Sequence, residues 1–550
     1  VYKRQVKGHI IEITTDTYVL ASTLQVDDNI TINGNGSVFD ASSVFDANGR
    51  RARAIDVTGT TTNLILTNVT ILNGLADASG GGALRVSGGA TVTVVNGTFE
   101  DNSAEFGGAV HNIGSNVTLR ESVFTGNQAT AGNGGAVLTD SGGVTNVQNT
   151  TVDGNLASNA GGGLAVAGTG SQINFIASTI SNNTALTSVA TVANPVRSGT
   201  TIGSCGGWDG QTFIADADAL SSFEFDIRLN GPAVFTVIPN DLYIPGQVRQ
   251  GGPNGPVIAT ATAFAPGGAW LGTSTQTLTF VLDSVVALVP GDTYAIETIV
   301  SGAYSTYISS LTTDVYTDGG QYCNASFSSN WDYTFRTFGG SPGAGAGIFA
   351  SANGSAGLYN STLSGNVGDG AVATDGATVS TLFSTVTNNS GNGLTAVPEQ
   401  PDVAPQGLVF FTTSILAGNG GNDCDGDSFN LTSSGFNLVG DDSSCPFSPQ
   451  PGDLVGTSLA PIDPLLGPLQ FNGGRTFTHA IDDNSPAFDA GGTSLDTYCS
   501  GAPTDQRGTA RPNGAECDIG SFEYALPVGP LQTLINEADS GATINVPNGI

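Results

Sequence analysis

Apolar and small residues recur at a nearly fixed interval between residues 60 and 190. One phrase consists of an apolar residue, two small or polar residues and Asn, and a Gly-Gly-small-aliphatic step follows it. The phrase reads FEDN (99–102), FTGN (124–127), VDGN (152–155) and ISNN (180–183), and the step reads GGAV (107–110), GGAV (134–137) and GGGLAV (161–166). The phrase Asn residues are 25, 28 and 28 positions apart. A period of this length predicts a solenoid.

Short runs between the phrases identify the kind of solenoid. They are rich in β-branched residues and alternate between apolar and polar positions, as strands do: TVTVV (91–95), NVTLR (116–120), GVTNVQ (143–148) and SQINFI (171–176). No helical spacing separates them. Each period is therefore predicted to be one coil of a right-handed parallel β-helix, in which equivalent strands pair about 4.8 Å apart.

Three columns of equivalent residues follow from aligning the coils. The apolar phrase residues are expected to stack in the core, namely Phe99, Phe124, Val152 and Ile180. The phrase asparagines are expected to turn the corner and form an amide ladder, which includes Asn102, Asn127, Asn155, Asn183, Asn366 and Asn389. The small position of the glycine step aligns as Ala83, Ala109, Ala136 and Leu164.

The repeat is interrupted after SNNTAL (181–186) and resumes at GAGIFA (345–350). The intervening segment contains strand-like runs separated by Gly, Pro, Asn and Asp, which is typical of an antiparallel β-sandwich of jelly-roll type. We therefore predict N-terminal coils at 1–190, an inserted sandwich at 191–342, and C-terminal coils with a cap at 343–525. Residues 526–550 read as a linker and the opening of a second β-helix that continues further.

The predicted sandwich contains all three tryptophans of the chain. Aromatic side chains on a sandwich surface form platforms that stack on sugars, and the candidates are Trp208, Trp270, Tyr304, Tyr307 and Trp331. The alternative is that these residues pack in the core and along the edges of the sandwich.

The charge balance restricts the class of partner. The chain has 47 acidic and 15 basic residues and a net charge of −32, which disfavours nucleic acid and anionic membranes. Charged residues are only 11% of the chain, so it is not a disordered acidic tail. The chain contains no run of 18 apolar residues, so the sequence predicts no transmembrane helix.

The FxxN and GGA-aliphatic repeats resemble those of polymorphic outer-membrane proteins. That resemblance implies a secreted or cell-surface β-helix associated with display and adhesion. A second resemblance is to the end of the β-helical domain in bacterial choice-of-anchor Q proteins, and four motifs carry it: SILAGNGGNDCDG (414–426), SSGFNLVGDDSSC (433–445), PLQFNGGRTFTHAIDDNSPAFDAG (468–491) and TDQRGTARPNGAECDIGSFEY (504–524). It implies an exported bacterial protein with a surface anchor beyond this region.

Six cysteines agree with an oxidising compartment. They allow fifteen pairings, and the predicted domain division favours Cys205 with Cys323, Cys424 with Cys445, and Cys499 with Cys517. None has the CxxC spacing of a zinc site.

Few residues have the arrangement of a catalytic or metal site. Glu100 and Asp153 occupy one column and are two coils apart, which is roughly 9.6 Å by strand spacing. They are either a pair of glycosidase carboxylates or solvated turn residues. Asp423, Asp425 and Asp427 alternate as in calcium loops, but the later Glu of such loops is missing. Arg507 and Arg511 lie among several acids in the cap, where structural pairing that closes the last coil is expected.

Two functional hypotheses remain. The first is a non-catalytic, monomeric scaffold, secreted or on the bacterial surface, that displays the sandwich for adhesion or glycan binding. Its partner would be an extracellular polysaccharide or a neighbouring cell surface, and no cofactor other than calcium is considered. The second is a polysaccharide lyase or glycoside hydrolase, a hypothesis that the scaffold alone motivates.

Overall fold

A computed structural model describes residues 9–45, 52–185, 344–398, 405–493 and 497–525, together with separate segments between 189 and 339. Contacts divide the chain into two units. The first contains Val1–Leu156, Gly161–Asn183 and Gly347–Ile550, and the second contains Ala157–Ala160 and Thr184–Ala346. In the described residues of the first unit, nearly all strand pairs are parallel.

The main parallel sheet has two adjoining columns of strands in most coils. In the first of these columns the strands alternate buried and less buried positions, so one face forms the core and the other is turned toward solvent. In the second column, strands such as Thr179–Ser181 and Thr362–Ser364 are buried at every position. The first column comprises His9–Glu12, Ile30–Asp40, Asn63–Leu72, Thr91–Glu100, Asn116–Arg120, Val144–Gln148, Gln172–Ile176, Ser355–Tyr359, Thr378–Leu382, Leu408–Thr412 and Leu431–Ser433. The second comprises Thr17–Val19, Val123–Thr125, Thr151–Asp153, Thr179–Ser181, Thr362–Ser364, Thr385–Thr387, Ile415–Leu416, Leu438–Val439 and Leu454–Val455.

Two further parallel sheets complete the coils. One contains Leu24–Val26, Ile55–Thr58, Leu84–Ser87, Val110–Ile113, Val137–Asp140, Leu164–Ala167, Ile348–Ser351, Ala371–Ala373, Leu394–Ala396 and Cys424–Asp425. The other sheet is short. In it, Ser103–Phe106 pairs with Leu75–Gly80 on one side and with Gln128–Ala129 on the other. Short strands at Leu156–Ala157 and Thr184–Ala185 follow along the chain.

The core column of the phrase is confirmed. Phe99 pairs in register with Phe124, Phe124 with Val152, and Val152 with Ile180, and all four side chains are fully buried. The rings of Phe99 and Phe124 stack with centroids 4.5 Å apart and an interplanar angle of 3°. Stacking of identical positions between coils thus supplies the continuous core that a solenoid needs.

The predicted small-residue column is wrong at Leu164. Val137 pairs with Leu164, so Leu164 belongs to the aliphatic column. The place next to Ala136 is taken by Gly163, whose carbonyl accepts a hydrogen bond from Ala136 N. The third glycine of GGGLAV stands where the earlier repeats have alanine, so the small position is one residue before Leu164.

The coils continue directly across the interruption of the repeat. Leu164 pairs with Ile348, and Ile180 pairs with Leu363. The second unit contains antiparallel strands at Val189–Ala193, Thr200–Gly203, Asp209–Ile214, Ala219–Asn230, Leu242–Gln250, Val257–Ala265, Gln276–Ala287, Thr293–Thr298, Ser305–Leu311, Gly320–Cys323, Ser326–Ser328, Asp332–Tyr333 and Phe335–Gly339. The predicted fold class, a parallel β-helix with an antiparallel β insertion, is confirmed.

The C-terminal residues 469–525, here called the lateral segment, lie along the side of the coils. The segment begins with a hairpin of Leu469–Gln470 and Thr478–His479 and includes the helix Thr497–Gly501. Thr362 Oγ1 donates to Gln506 Oε1 at 2.7 Å, and Gly520 N donates to Thr413 O at 3.0 Å. The predicted cap therefore does not simply close the last coil.

The buried arginine of the lateral segment is paired as predicted. Arg511 Nη1 donates to Glu523 Oε2 at 2.8 Å, and the guanidinium lies 4.4 Å from the ring centroid of Phe383, a residue of the coils. Burial and the charge of Glu523 raise the pKa of Asp518 to about 7. The charges pair within the lateral segment, and the guanidinium of Arg511 joins them to the coils through the ring of Phe383.

No helix in the described part of the chain has the length and apolar character of a membrane span.

Candidate functional site

The solvent-facing side of the main sheet contains a groove where one side chain is missing. Outward residues of successive coils form a column with Thr93, Thr118, Asn146, Asn174, Gly357, Ser380 and Phe410. Gly357 interrupts this column with no side chain at all. The next outward column has Ile176, Tyr359, Leu382 and Thr412.

The groove has a volume of roughly 560 Å³, within the range of small-molecule sites. Asn146, Asn174, Ser380 and Thr412 supply polar groups along it. The remaining lining is Phe175, Ile176, Gly357, Leu358, Tyr359, Thr381, Leu382 and Phe410. The groove crosses five strands of the first column, which is roughly 19 Å along the solenoid axis by strand spacing.

Packing does not require glycine at position 357. A Cβ placed there would lie 3.5 Å from Ser380 Oγ and 3.7 Å from Asn174 Oδ1, both ordinary contacts. Gly357 lies within a strand, where glycine is less favourable than a residue with a side chain. The missing side chain leaves an open slot between Asn174 and Ser380.

A hydrogen bond orients the amide that borders this slot. Asn174 Nδ2 donates to Asn146 Oδ1 at 3.1 Å, which turns Asn174 Oδ1 toward Gly357. Among the described residues, neither Asn174 Oδ1 nor Ser380 Oγ has a further hydrogen-bond partner. The slot therefore presents an acceptor on one side and a hydroxyl group on the other.

Apolar side chains form the rest of the groove wall. Ile176 and Phe410 are 39% and 37% exposed although both are large and apolar. Tyr359 is held in place, because its hydroxyl donates to Gly501 O at 3.3 Å and its ring packs against a buried cluster that includes Phe383 and Cys499. Burial also raises the pKa of Tyr359, so it stays neutral at physiological pH.

The lining carries no carboxylate, ammonium or guanidinium group. Tyr359 is its sole titratable residue, and it remains neutral. The groove can therefore bind through apolar contact and neutral hydrogen bonds, but it offers no acid or base of the kind that glycosidic cleavage requires.

The carboxylates proposed as a catalytic pair lie in a different column from the groove. Thr125 pairs with Glu100 on one side and with Asp153 on the other, so the two acids are two strands apart. Asp153 Oδ1 accepts from Ser181 Oγ and from Asn182 Nδ2, each at 2.7 Å. These bonds tie Asp153 to the neighbouring coil and favour its role as a turn residue.

Four further charged or titratable side chains on the solenoid form two pairs with one another. Arg85 donates to both carboxylate oxygens of Asp56, at 2.9 and 2.8 Å. His111 Nε2 lies 2.9 Å from Asp140 Oδ2. Burial opposes ionisation of Asp140, but hydrogen bonding and the charge of His111 lower the pKa of its carboxyl. Both pairs connect neighbouring coils.

The three aspartates proposed as a calcium loop do not converge. Asp423 is buried and accepts from Asn419 Nδ2 at 3.0 Å and from Asp441 N at 2.9 Å. Asp425 pairs in register with Thr395, and Asp427 is exposed. Within the described ranges, no group of three His, Cys, Asp or Glu residues is arranged to hold a metal ion.

The phrase asparagines lie side by side in one buried row. The Nδ2 of each donates to the Oδ1 of the next over the pairs Asn102–Asn127, Asn127–Asn155, Asn155–Asn183, Asn183–Asn366 and Asn366–Asn389, at 2.8–3.0 Å. The main-chain N–H of each residue also bonds the next side chain, as Asn155 N does to Asn183 Oδ1 at 3.0 Å. Asn419 extends the row beyond Asn389. The row supports the corner of every coil that it crosses.

Two of the expected disulfides are present, Cys424–Cys445 and Cys499–Cys517, with Cα atoms 5.0 and 6.0 Å apart. Cys205 lies outside the described residues, and the side chain of Cys323 does too.

The aromatic candidates of the insertion largely fall outside the described part of the chain. This applies to Trp208, Trp270, Tyr304 and Trp331. Tyr307 is described in its backbone, which pairs with Gly203 and Arg228, but not in its side chain.

Sequence reasoning missed the groove, although one signal was available. In QINFI, SAGLY and TVSTL the outward residue at the end of the strand is apolar, and in LVFFT the central outward residue, Phe410, is apolar, against the expected alternation. Exposed apolar residues at equivalent positions of successive coils indicate a binding surface.

No protein-family model and no curated protein matches the chain. Among solved structures it is similar to the enzymatically active domain of bacteriophage CBA120 tailspike protein 4, at 9% identity, covering 56% of this chain and 64% of that chain, with a TM-score of 0.14. It is also similar to Pantoea stewartii WceF, a glycan biofilm modifying enzyme with a tailspike-like parallel β-helix fold, at 10% identity, covering 55% and 52%, with a TM-score of 0.14. The chain thus spans less than two thirds of either protein, and these similarities assign it no function.

Proposed function

We propose that the protein is a non-catalytic, extracellular β-helical scaffold that binds an uncharged glycan in the groove over Gly357. The glycan would belong to an extracellular polysaccharide or to a neighbouring cell surface, so that binding serves adhesion. The groove itself carries this proposal, because it combines exposed apolar walls with oriented neutral hydrogen-bonding groups.

Sugars present apolar ring faces and hydroxyl groups at once. Tyr359 and Phe410 offer aromatic surface for the ring faces, while Asn174 and Ser380 offer partners for the hydroxyl groups. The groove is elongated along the solenoid axis, which suits an oligosaccharide better than a single sugar. With a net charge of −32, the protein would repel anionic glycans.

Two observations support the non-catalytic and extracellular parts of the proposal. The groove lining includes no carboxylate that could act as an acid, base or nucleophile. The disulfides Cys424–Cys445 and Cys499–Cys517 suit an oxidising compartment outside the cytoplasm.

Filling the slot should weaken binding strongly without harming the fold. We expect the full chain to retain an uncharged oligosaccharide on a glycan array, and Gly357→Ile to weaken that binding by at least about tenfold, or 1.4 kcal/mol. The contacts around a Cβ at this position are ordinary, so the melting temperature should not fall. Titration calorimetry of both proteins measures the difference.

Thr93→Ile is the matched control, because Thr93 occupies the same outward column outside the groove. It should leave the affinity unchanged. Equal binding by the wild type and Gly357→Ile, or no binding to any uncharged glycan, would contradict the proposal. Release of new reducing ends or unsaturated products from a bound glycan would favour the enzyme hypothesis instead.

A further inference from the structure

We infer that the slot over Gly357 recognises an acetamido group, so that the bound glycan contains an N-acetylated amino sugar. This inference rests on the proposed glycan-binding function and names the chemical class of its ligand. It follows from the identity and orientation of the polar groups on either side of the slot.

The slot has an acceptor on one wall and a hydroxyl group on the other. Asn174 Oδ1 is fixed as an acceptor because Nδ2 of the same amide is committed to Asn146 Oδ1 at 3.1 Å. Ser380 lies on the strand that follows the strand of Gly357, and its Oγ is 3.5 Å from the position of a Cβ at Gly357. The strands of Asn174 and Ser380 are roughly 9.6 Å apart, which leaves room for a planar group between them.

An acetamido group complements both walls. Its N–H donates to Asn174 Oδ1, and its carbonyl accepts from the Ser380 hydroxyl. Its methyl group needs apolar surface, which the next outward positions provide: Ile176 on the strand of Asn174 and Tyr359 on the strand of Gly357. The three parts of the group thus meet an acceptor, a donor and an apolar wall.

Other common substituents fit less well. A carboxylate or sulfate would place negative charge against Asn174 Oδ1, and no cation lines the groove to offset it. A free amine would be charged and would have to leave water for a mostly apolar wall. A sugar hydroxyl can bond to either wall but leaves the apolar surface of Ile176 uncovered.

The test uses pairs of oligosaccharides of equal length and linkage that differ only in acetamido against hydroxyl at one carbon. The tetramers of N-acetylglucosamine and glucose form one pair, and those of N-acetylgalactosamine and galactose form another. We expect the full chain to bind the acetylated member of at least one pair about tenfold more tightly, as one well-made hydrogen bond and a buried methyl group predict. Titration calorimetry measures each affinity.

Asn174→Ala removes the acceptor and should reduce the preference for the acetylated member to within about threefold, a difference below 1 kcal/mol. Its affinity for the hydroxyl member should fall less than its affinity for the acetylated member, and an unchanged circular dichroism spectrum and melting temperature show that the variant is folded. Thr93→Ala, in the same column outside the groove, should keep the full preference.

The outcomes separate this inference from the proposed function. Equal binding of both members of each pair, or an undiminished preference in Asn174→Ala, overturns the acetamido assignment and leaves glycan binding intact. Binding of neither member, with no uncharged glycan retained on an array, overturns both.

Discussion

Asn155→Ala is expected to lower the free energy of unfolding by about 3–5 kcal/mol, because it leaves several buried polar groups without partners, each at a cost of about 1–3 kcal/mol. Asn155 Oδ1 accepts from both Asn127 N and Asn127 Nδ2, at 3.0 and 2.9 Å. Asn155 Nδ2 donates to Phe124 O at 3.0 Å and to Asn183 Oδ1 at 2.9 Å. Water cannot replace these bonds easily, since the side chain is 1% exposed.

Denaturant unfolding of the full chain, followed by circular dichroism, measures the loss. Asn174→Ala is the matched control, because Asn174 also bonds to an asparagine of the preceding coil but lies partly exposed on the outer face. Asn174→Ala should lower the free energy of unfolding by less than about 1 kcal/mol, as expected for the loss of one solvated hydrogen bond. Similar losses in the two variants would show that the buried row does not support the coils as described.

Arg511→Met is expected to destabilise the protein by about 3–5 kcal/mol, as does removal of one member of a buried ion pair. The Arg511 side chain is fully buried, and it donates to Glu523 Oε2 at 2.8 Å and to the carbonyl oxygens of Asp518 and Gly520 at 2.9 and 2.6 Å. Without it, the Glu523 carboxylate stays buried with no cation beside it. The lateral segment should then lose its internal bonds and its contact with Phe383, and detach before the coils unfold.

Limited proteolysis with mass spectrometry detects that detachment as early cleavage within residues 469–525. Arg475→Met provides the comparison, because Arg475 also bonds to a glutamate, Glu121, at 2.7 Å, but its side chain is 60% exposed. An exposed pair of this kind contributes about 0–1 kcal/mol. If Arg511→Met is as stable and protease-resistant as Arg475→Met, Arg511 does not fasten the segment.

The fold could be predicted from the sequence because the same pattern of apolar, small and Asn residues recurs in successive coils. Phe99 and Phe124 occur at the same point of successive periods, and the register pairs them as the alignment predicts. The one misaligned position, Leu164, follows a run of three glycines, where a repeat written in small residues has no unique alignment. Periodicity therefore predicts the strands and their columns well, but it does not decide which residue of a glycine run belongs to which column.

The lateral segment and the groove were harder to predict, since both depend on contacts between positions far apart in sequence. Gln506 bonds to Thr179 and Thr362, although neither shares a repeat with it. The groove joins Ile176 to Phe410 across the insertion, and it depends on a side chain that Gly357 lacks. The sequence-based hypothesis placed glycan binding in the insertion and remains a prediction, whereas the function proposed here places it on the solenoid.

A crystal structure of the full chain with an array-selected, uncharged oligosaccharide tests the central claim most directly. We expect the sugar chain to lie along the solenoid axis over Gly357, in contact with Tyr359 and Phe410, with one substituent between Asn174 and Ser380. An oligosaccharide bound elsewhere, with the groove left empty at saturating ligand, would contradict the account.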